Sequence, residues 1–115
     1  MKIYQEIKTN SIVFVTQGEI ESKDFKELIA NTEEAAIEKH IPVISYEDDK
    51  MIVTVGSIEH PMTEEHYITC IALVNEDNII IKKLKPIDKP IATFPKVENA
   101  KIYAYCNLHG LWQSK

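Results

Sequence analysis

From Pro42 onward the chain alternates short apolar runs with polar breaks. The runs are VISYE, MIVTV, HYITCIALV, NIIIKKL, IATF and AKIYAYC, all rich in β-branched and aromatic residues. DDK, NEDN and KPIDKP interrupt them with turn-forming side chains. Several short strands at this spacing predict an all-β sandwich. Before Thr32 the pattern is mixed. KIYQEIK and SIVFVTQ predict two short strands joined by a turn at Thr9–Asn10. SKDFKELIAN places Phe25, Leu28 and Ile29 at helical spacing behind Ser22, a capping residue, and predicts a helix. TEEAAIEKH reads as a helical turn capped by Thr32 or as a linker.

Composition narrows the class. A chain of 115 residues with 44% apolar and 27% charged side chains is expected to form one globular domain, with room for a small appendage. Its formal net charge of -5, with no Lys/Arg cluster, argues against nucleic acid as a partner. The longest apolar runs, such as CIALV, are too short to span a bilayer, so no membrane is expected. The polar opening MKIYQEIK lacks the apolar core of a secretion signal, and a cytoplasmic location is the expectation. In such a reducing compartment a Cys70–Cys106 disulfide is disfavoured, leaving one or both thiols free or metal-bound.

The candidate chemistry lies in five side chains. The four histidines are His40, His60, His66 and His109, and His109 stands three residues after Cys106 in the turn CNLHG. The pattern puts every one of them at a strand end or in a loop, and none inside a clear helix. His40 precedes a strand, His60 is held extended by Pro61, and His66 opens the strand HYITCIALV. Each has an ordinary alternative: a surface or core histidine, or a small buried cysteine. The six-residue step from His60 to His66 matches no zinc motif, and C-x-x-H alone is a weak signal. Should all five converge, they overfill a tetrahedral zinc site and suit a five-coordinate redox metal, iron above all. A thiolate facing an open position would push electron density onto that metal.

EKHIPV, VGSIEHPMTEEHYI and YCNLHGLW together resemble the three motifs of the superoxide reductases, also called desulfoferrodoxins or neelaredoxins. The resemblance runs from about Ile37 to Trp112, in the family's order. It implies a seven-stranded immunoglobulin-like β-sandwich over residues 37–115. The N-terminal segment 1–36 then resembles a desulforedoxin-like unit that has lost its metal. It implies a single mononuclear iron, with His40, His60, His66 and His109 in a plane and Cys106 as axial thiolate. Glu38 and Lys39 would lie on a mobile loop over the open face, Glu38 capping the ferric site and Lys39 drawing in an anionic substrate. The implied reaction is one-electron reduction of superoxide to hydrogen peroxide, with rubredoxin or another small carrier as electron donor. A homodimer is also implied. The alternative is a non-catalytic iron- or zinc-binding or electron-transfer module that has kept the ligands.

The chain departs from the family pattern twice. It has no cysteine before Cys70, which predicts one iron rather than two. Cys70 itself stands where the family commonly has tryptophan. Strand alternation would point Cys70 to the same side as His66, toward the outer surroundings of the iron, or leave it a small core residue.

Overall fold

A computed structural model describes residues 1–114. These residues are nearly all β, with ten strands in three antiparallel sheets among them. Strands β1 (Lys2–Glu6), β2 (Ile12–Val15) and β3 (Phe25–Glu27) form the first sheet, in the order β2-β1-β3. A single helical turn, α1 (Ile37–His40), leads into β4 (Pro42–Glu47) and β5 (Lys50–Val55). Then come β6 (Ile68–Val74), β7 (Ile79–Lys83), β8 (Ile91–Pro95), β9 (Lys101–Cys106) and β10 (Gly110–Gln113). These last seven strands make the two sheets of the sandwich, β4-β5-β8 and β10-β9-β6-β7.

Period-two patterning positions the sandwich core. β5 buries Met51, Val53 and Val55, β8 buries Ala92 and Phe94, and β9 turns Ile102, Ala104 and Cys106 to the same interior. The alternate residues of β9, Tyr103 and Tyr105, face outward. There they meet Ile3, Ile12, Phe14 and Leu28 of the N-terminal segment, together with Leu111. The first sheet therefore covers the outer face of the β10-β9-β6-β7 sheet. Asn31 adds a second tie: its side chain accepts from the N–H of Gln113 (2.8 Å) and donates to the Gln113 carbonyl (3.2 Å).

The strand and turn expectations are met, except that β6 begins two residues after His66. Asn10 takes the left-handed backbone the first turn needs (φ 61°), and its N–H closes on the Glu6 carbonyl at 2.8 Å. Three expectations are not. The helix expected over SKDFKELIAN is absent: Phe25–Glu27 pairs with β1, and Leu28 N–H donates to the Ile3 carbonyl. Ser22 caps no helix; its hydroxyl accepts from the N–H of Asp24. The free edge of β1 satisfies this backbone better than an isolated helical turn would. Leu28 joins the core while Ile29 stays exposed, as in an extended chain. The helical turn ahead of His40 is confined to Ile37–His40 and begins at Ala36 without a side-chain cap, while the Thr32 hydroxyl bonds the Ile29 carbonyl. His40 is thus the last residue of that single turn and stands just ahead of β4, where the sequence reading put it. β10 is the strand that the pattern did not reveal: four residues behind a tight turn at Gly110 (φ 80°) carry too little periodicity.

Candidate metal centre

Each ring is delivered by a different local device. α1 carries His40 and is pressed against the loop that follows β5. A methyl group on Gly56 would lie 2.6 Å from the Glu38 carbonyl oxygen, so only glycine permits this approach. The same carbonyl accepts from Ile58 N–H (3.0 Å) and the Ser57 hydroxyl (3.2 Å), which ties α1 to the loop that reaches His60. His66 precedes β6 rather than opening it. Thr63 brackets its backbone, donating to the His66 carbonyl and accepting its N–H. Cys106 ends β9 fully buried, and His109 sits in the hairpin turn before β10.

The four rings close into a square. Centroids lie 4.5 Å apart for His40–His60, 4.6 Å for His60–His66, 5.0 Å for His66–His109 and 5.0 Å for His109–His40. Each adjacent pair is edge-on, at 79° to 84°. His40 and His66 face each other across the square at 6.3 Å, 27° from parallel. One ligating atom each from His40, His66, Cys106 and His109 lies within 4.8 Å of all the others. His60 joins through its Nε2, 3.1 Å from Nε2 of His40.

Hydrogen bonding decides the state of these nitrogens. His40 Nδ1 lies 2.7 Å from the Ala36 carbonyl, and His60 Nδ1 lies 2.7 Å from the Pro61 carbonyl. A carbonyl can only accept, so each Nδ1 carries the proton and each Nε2 presents a lone pair. Two lone pairs then face each other at 3.1 Å, and His109 Nδ1 stands 3.2 Å from the same His40 Nε2. That arrangement calls for a cation between them. Burial makes a proton a poor one: desolvation lowers the His60 pKa to about 4 and also pushes His40 and His66 down. Among the described residues His66 Nε2 is buried with no hydrogen-bond partner. Four imidazoles and a thiol with unspent lone pairs suit a borderline transition metal.

Burial raises the Cys106 thiol pKa, while the backbone N–H groups of Leu108 and His109 pull it back toward the thiolate. Trp112 closes the floor: its indole N–H donates to the His109 carbonyl at 3.0 Å, and its ring lies 4.9 Å from that of His40. Glu38 and Lys39 are exposed on α1, the turn that ends in His40. The positive charge of Lys39 lowers the proton affinity of both His40 and His66, and Glu38 opposes it at His40.

Cys70 is not beside this cluster. A β-bulge between Ile68 and Cys70, where β6 pairs with β9, breaks the alternation assumed from sequence. Ile68 and Ile71 face the core, and Cys70 turns outward to pack with Ile3, Tyr105 and Leu111. It is a free thiol, raised in pKa by burial. Sequence reasoning also passed over Gly56 and Trp112 as supports of the site. Both lie within or beside the quoted motifs, but nothing in the motif tells which backbone or ring each touches.

Residues 32–115 match the sequence profile of the desulfoferrodoxin family. A desulfoferrodoxin of Clostridium acetobutylicum is 41% identical over 119 residues, covering 99% of this chain and 95% of the relative. The superoxide reductase of Thermococcus kodakarensis is 40% identical, over 68% of this chain and 85% of its own length. The crystal structure of the superoxide reductase from Treponema pallidum superposes with a TM-score of 0.77 at 30% identity, with both chains fully covered.

Proposed function

Starting from the desulfoferrodoxin family, to which the chain belongs, we propose that it reduces superoxide to hydrogen peroxide at one iron held by His40, His60, His66, His109 and Cys106. It is an oxidoreductase of the superoxide reductase type. The balance is one superoxide, one electron and two protons giving one hydrogen peroxide. Iron, when bound, supplies the one-electron step.

The observation that carries this reading is the pair of Nε2 lone pairs 3.1 Å apart, each ring locked by its own carbonyl. Five donors exceed what a tetrahedral structural zinc takes. Burial raises the Cys106 thiol pKa, the N–H groups of Leu108 and His109 offset part of that rise, and a bound metal cation would favour the thiolate. Lys39 places a cation on the turn beside His40, where it attracts an anion despite the net charge of -5. In this reading Glu38, its exposed neighbour, supplies the carboxylate that caps the oxidised site.

The electron comes from rubredoxin or another small carrier, and the enzyme works in the cytoplasm; no described helix is long and apolar enough to cross a membrane. Residues 37–115 act as the iron-binding domain, with 1–36 as a metal-free appendage. β2 and β3 are edge strands of the first sheet and suit pairing in a homodimer. Metal analysis with a visible spectrum after mild oxidation tests the proposal. It should find close to one iron per chain and a thiolate-to-iron charge-transfer band. Two irons per chain, or a colourless zinc protein, would overturn it; the latter would favour a passive metal-binding module.

A further inference from the structure

His40 and His60 are each anchored through a ring nitrogen, but among the described residues Nε2 of His66 is buried with no hydrogen-bond partner. Its placement rests on its backbone, and one side chain holds that backbone on both sides. Asn107 Nδ2 donates to the carbonyl of Glu65 at 3.0 Å, and Asn107 Oδ1 accepts from the N–H of Tyr67 at 2.9 Å. The Asn107 N–H also donates to the Tyr67 carbonyl at 3.2 Å. The residues before and after His66 are thus pinned to the residue that follows Cys106 and stands two before His109.

We propose that Asn107 is the positioning residue that sets His66 against Cys106 and His109, so that the amide decides whether the square of imidazoles closes on the metal. This rests on the iron-site reading above. The chemistry requires an amide. One end must accept and the other donate, and a reversed amide would set donor against donor and acceptor against acceptor. Aspartate keeps the acceptor for Tyr67 N–H but meets the Glu65 carbonyl with a second acceptor. Alanine keeps neither side-chain contact. Thr63 still brackets His66 in either variant, so the loop keeps its local turn and loses its cross-link to the Cys106 turn.

The test compares iron loss to a chelator and the rhombicity of the ferric EPR signal in the iron-loaded full chain. The variants are Asn107→Ala, Asn107→Asp and a control, Asn75→Ala. Asn75 also accepts two backbone N–H bonds, from Asp77 and Asn78, but in the turn at the far end of β6. Disturbing the partners of a metal ligand costs about 10- to 100-fold in affinity. Asn107→Ala should lose iron about tenfold faster than wild type, with a shifted EPR signal, and Asn107→Asp should fall between. Asn75→Ala should match wild type in both readouts even where it unfolds at lower temperature. Wild-type iron retention and EPR in the Asn107 variants would overturn the inference, as would equal lability in Asn75→Ala. Should Asn107→Ala fail to fold, Asn107→Asp decides alone. A wild-type chain that holds no iron would overturn the iron-site reading and this inference with it, whereas an iron-loaded wild type with indifferent Asn107 variants removes only the inference.

Discussion

β9 and β1 are both central strands, each flanked by a neighbour on either side, yet they bury different things. β9 sends Ile102, Ala104 and Cys106 into a core made wholly of sandwich residues, and each is completely buried. β1 buries Ile3 and Tyr4, and Ile3 does so against Tyr105 and Leu111, which belong to the sandwich. The N-terminal sheet borrows its core from its neighbour. The sandwich has its own interior, and the five candidate ligands hang from that interior's strand ends and turns. The difference teaches that chemistry and buttressing are separate here. A defect in the first sheet should weaken the protein without reshaping the site, and a defect at the ends of β5, β6 or β9 should do the reverse.

The strongest break of this separation is Cys106→Ser. It should abolish the charge-transfer band and lower superoxide reduction by about 100-fold or more, because removing a ligand costs more than the roughly 10- to 100-fold of disturbing a ligand's partner. Optical titration and pulse radiolysis measure both. On the other side of the comparison, Ile3→Ala should destabilise by about 2–4 kcal/mol in chemical denaturation, as buried large-to-small changes do. Its oxidised spectrum should remain that of wild type. A bleached spectrum in Ile3→Ala would show that the first sheet shapes the site after all.

Lys39→Ala should slow the second-order reaction with superoxide by about tenfold and flatten its salt dependence, and Lys39→Arg should restore both. Equal salt slopes for wild type and Lys39→Ala would remove this lysine from the encounter. The metal-free chain should respond to acid through the square of histidines. His60 binds a proton less readily folded (pKa about 4) than unfolded (about 6.5), so the unfolded state takes up protons first. Its contribution to stability is present above about pH 6.5 and lost as pH falls toward 4. Urea unfolding of the metal-free protein at pH 7.5 and pH 5 should therefore show a lower midpoint in acid. The smallest effect belongs to Cys70→Ser, which should cost about 1 kcal/mol, typical of a single substitution, and leave the iron spectrum unchanged. Any bleaching there would contradict its outward placement beside Tyr105.

The strands of the sandwich were legible because β-branched runs alternate with turn residues, and both signals are local. The five candidate ligands were legible as residue types and motifs. The error at Cys70 shows where such reading stops. Strand alternation predicted its side correctly for an unbroken strand, and one bulged residue between Ile68 and Cys70 reversed it. A bulge depends on the pairing of β6 with β9, a partner more than thirty positions away in the chain. The misread segment around Phe25 failed for a related reason. Its three apolar residues fit a helix or a strand, and the free edge of β1 chose the strand.

The sequence by itself determined that this is a β protein with four histidines and a cysteine in recognisable motifs, because patterning and residue chemistry are carried by neighbours along the chain. Only the tertiary structure decided that the rings form a square, that carbonyls of Ala36 and Pro61 turn Nε2 of His40 and His60 inward, and that Asn107 spans Glu65 and Tyr67. Apart from the His60–His66 side of the square, the ring-to-ring distances and the Asn107 cross-link join residues twenty to seventy positions apart. Their geometry follows from how the two sheets pack and where their turns meet, and no local pattern encodes that.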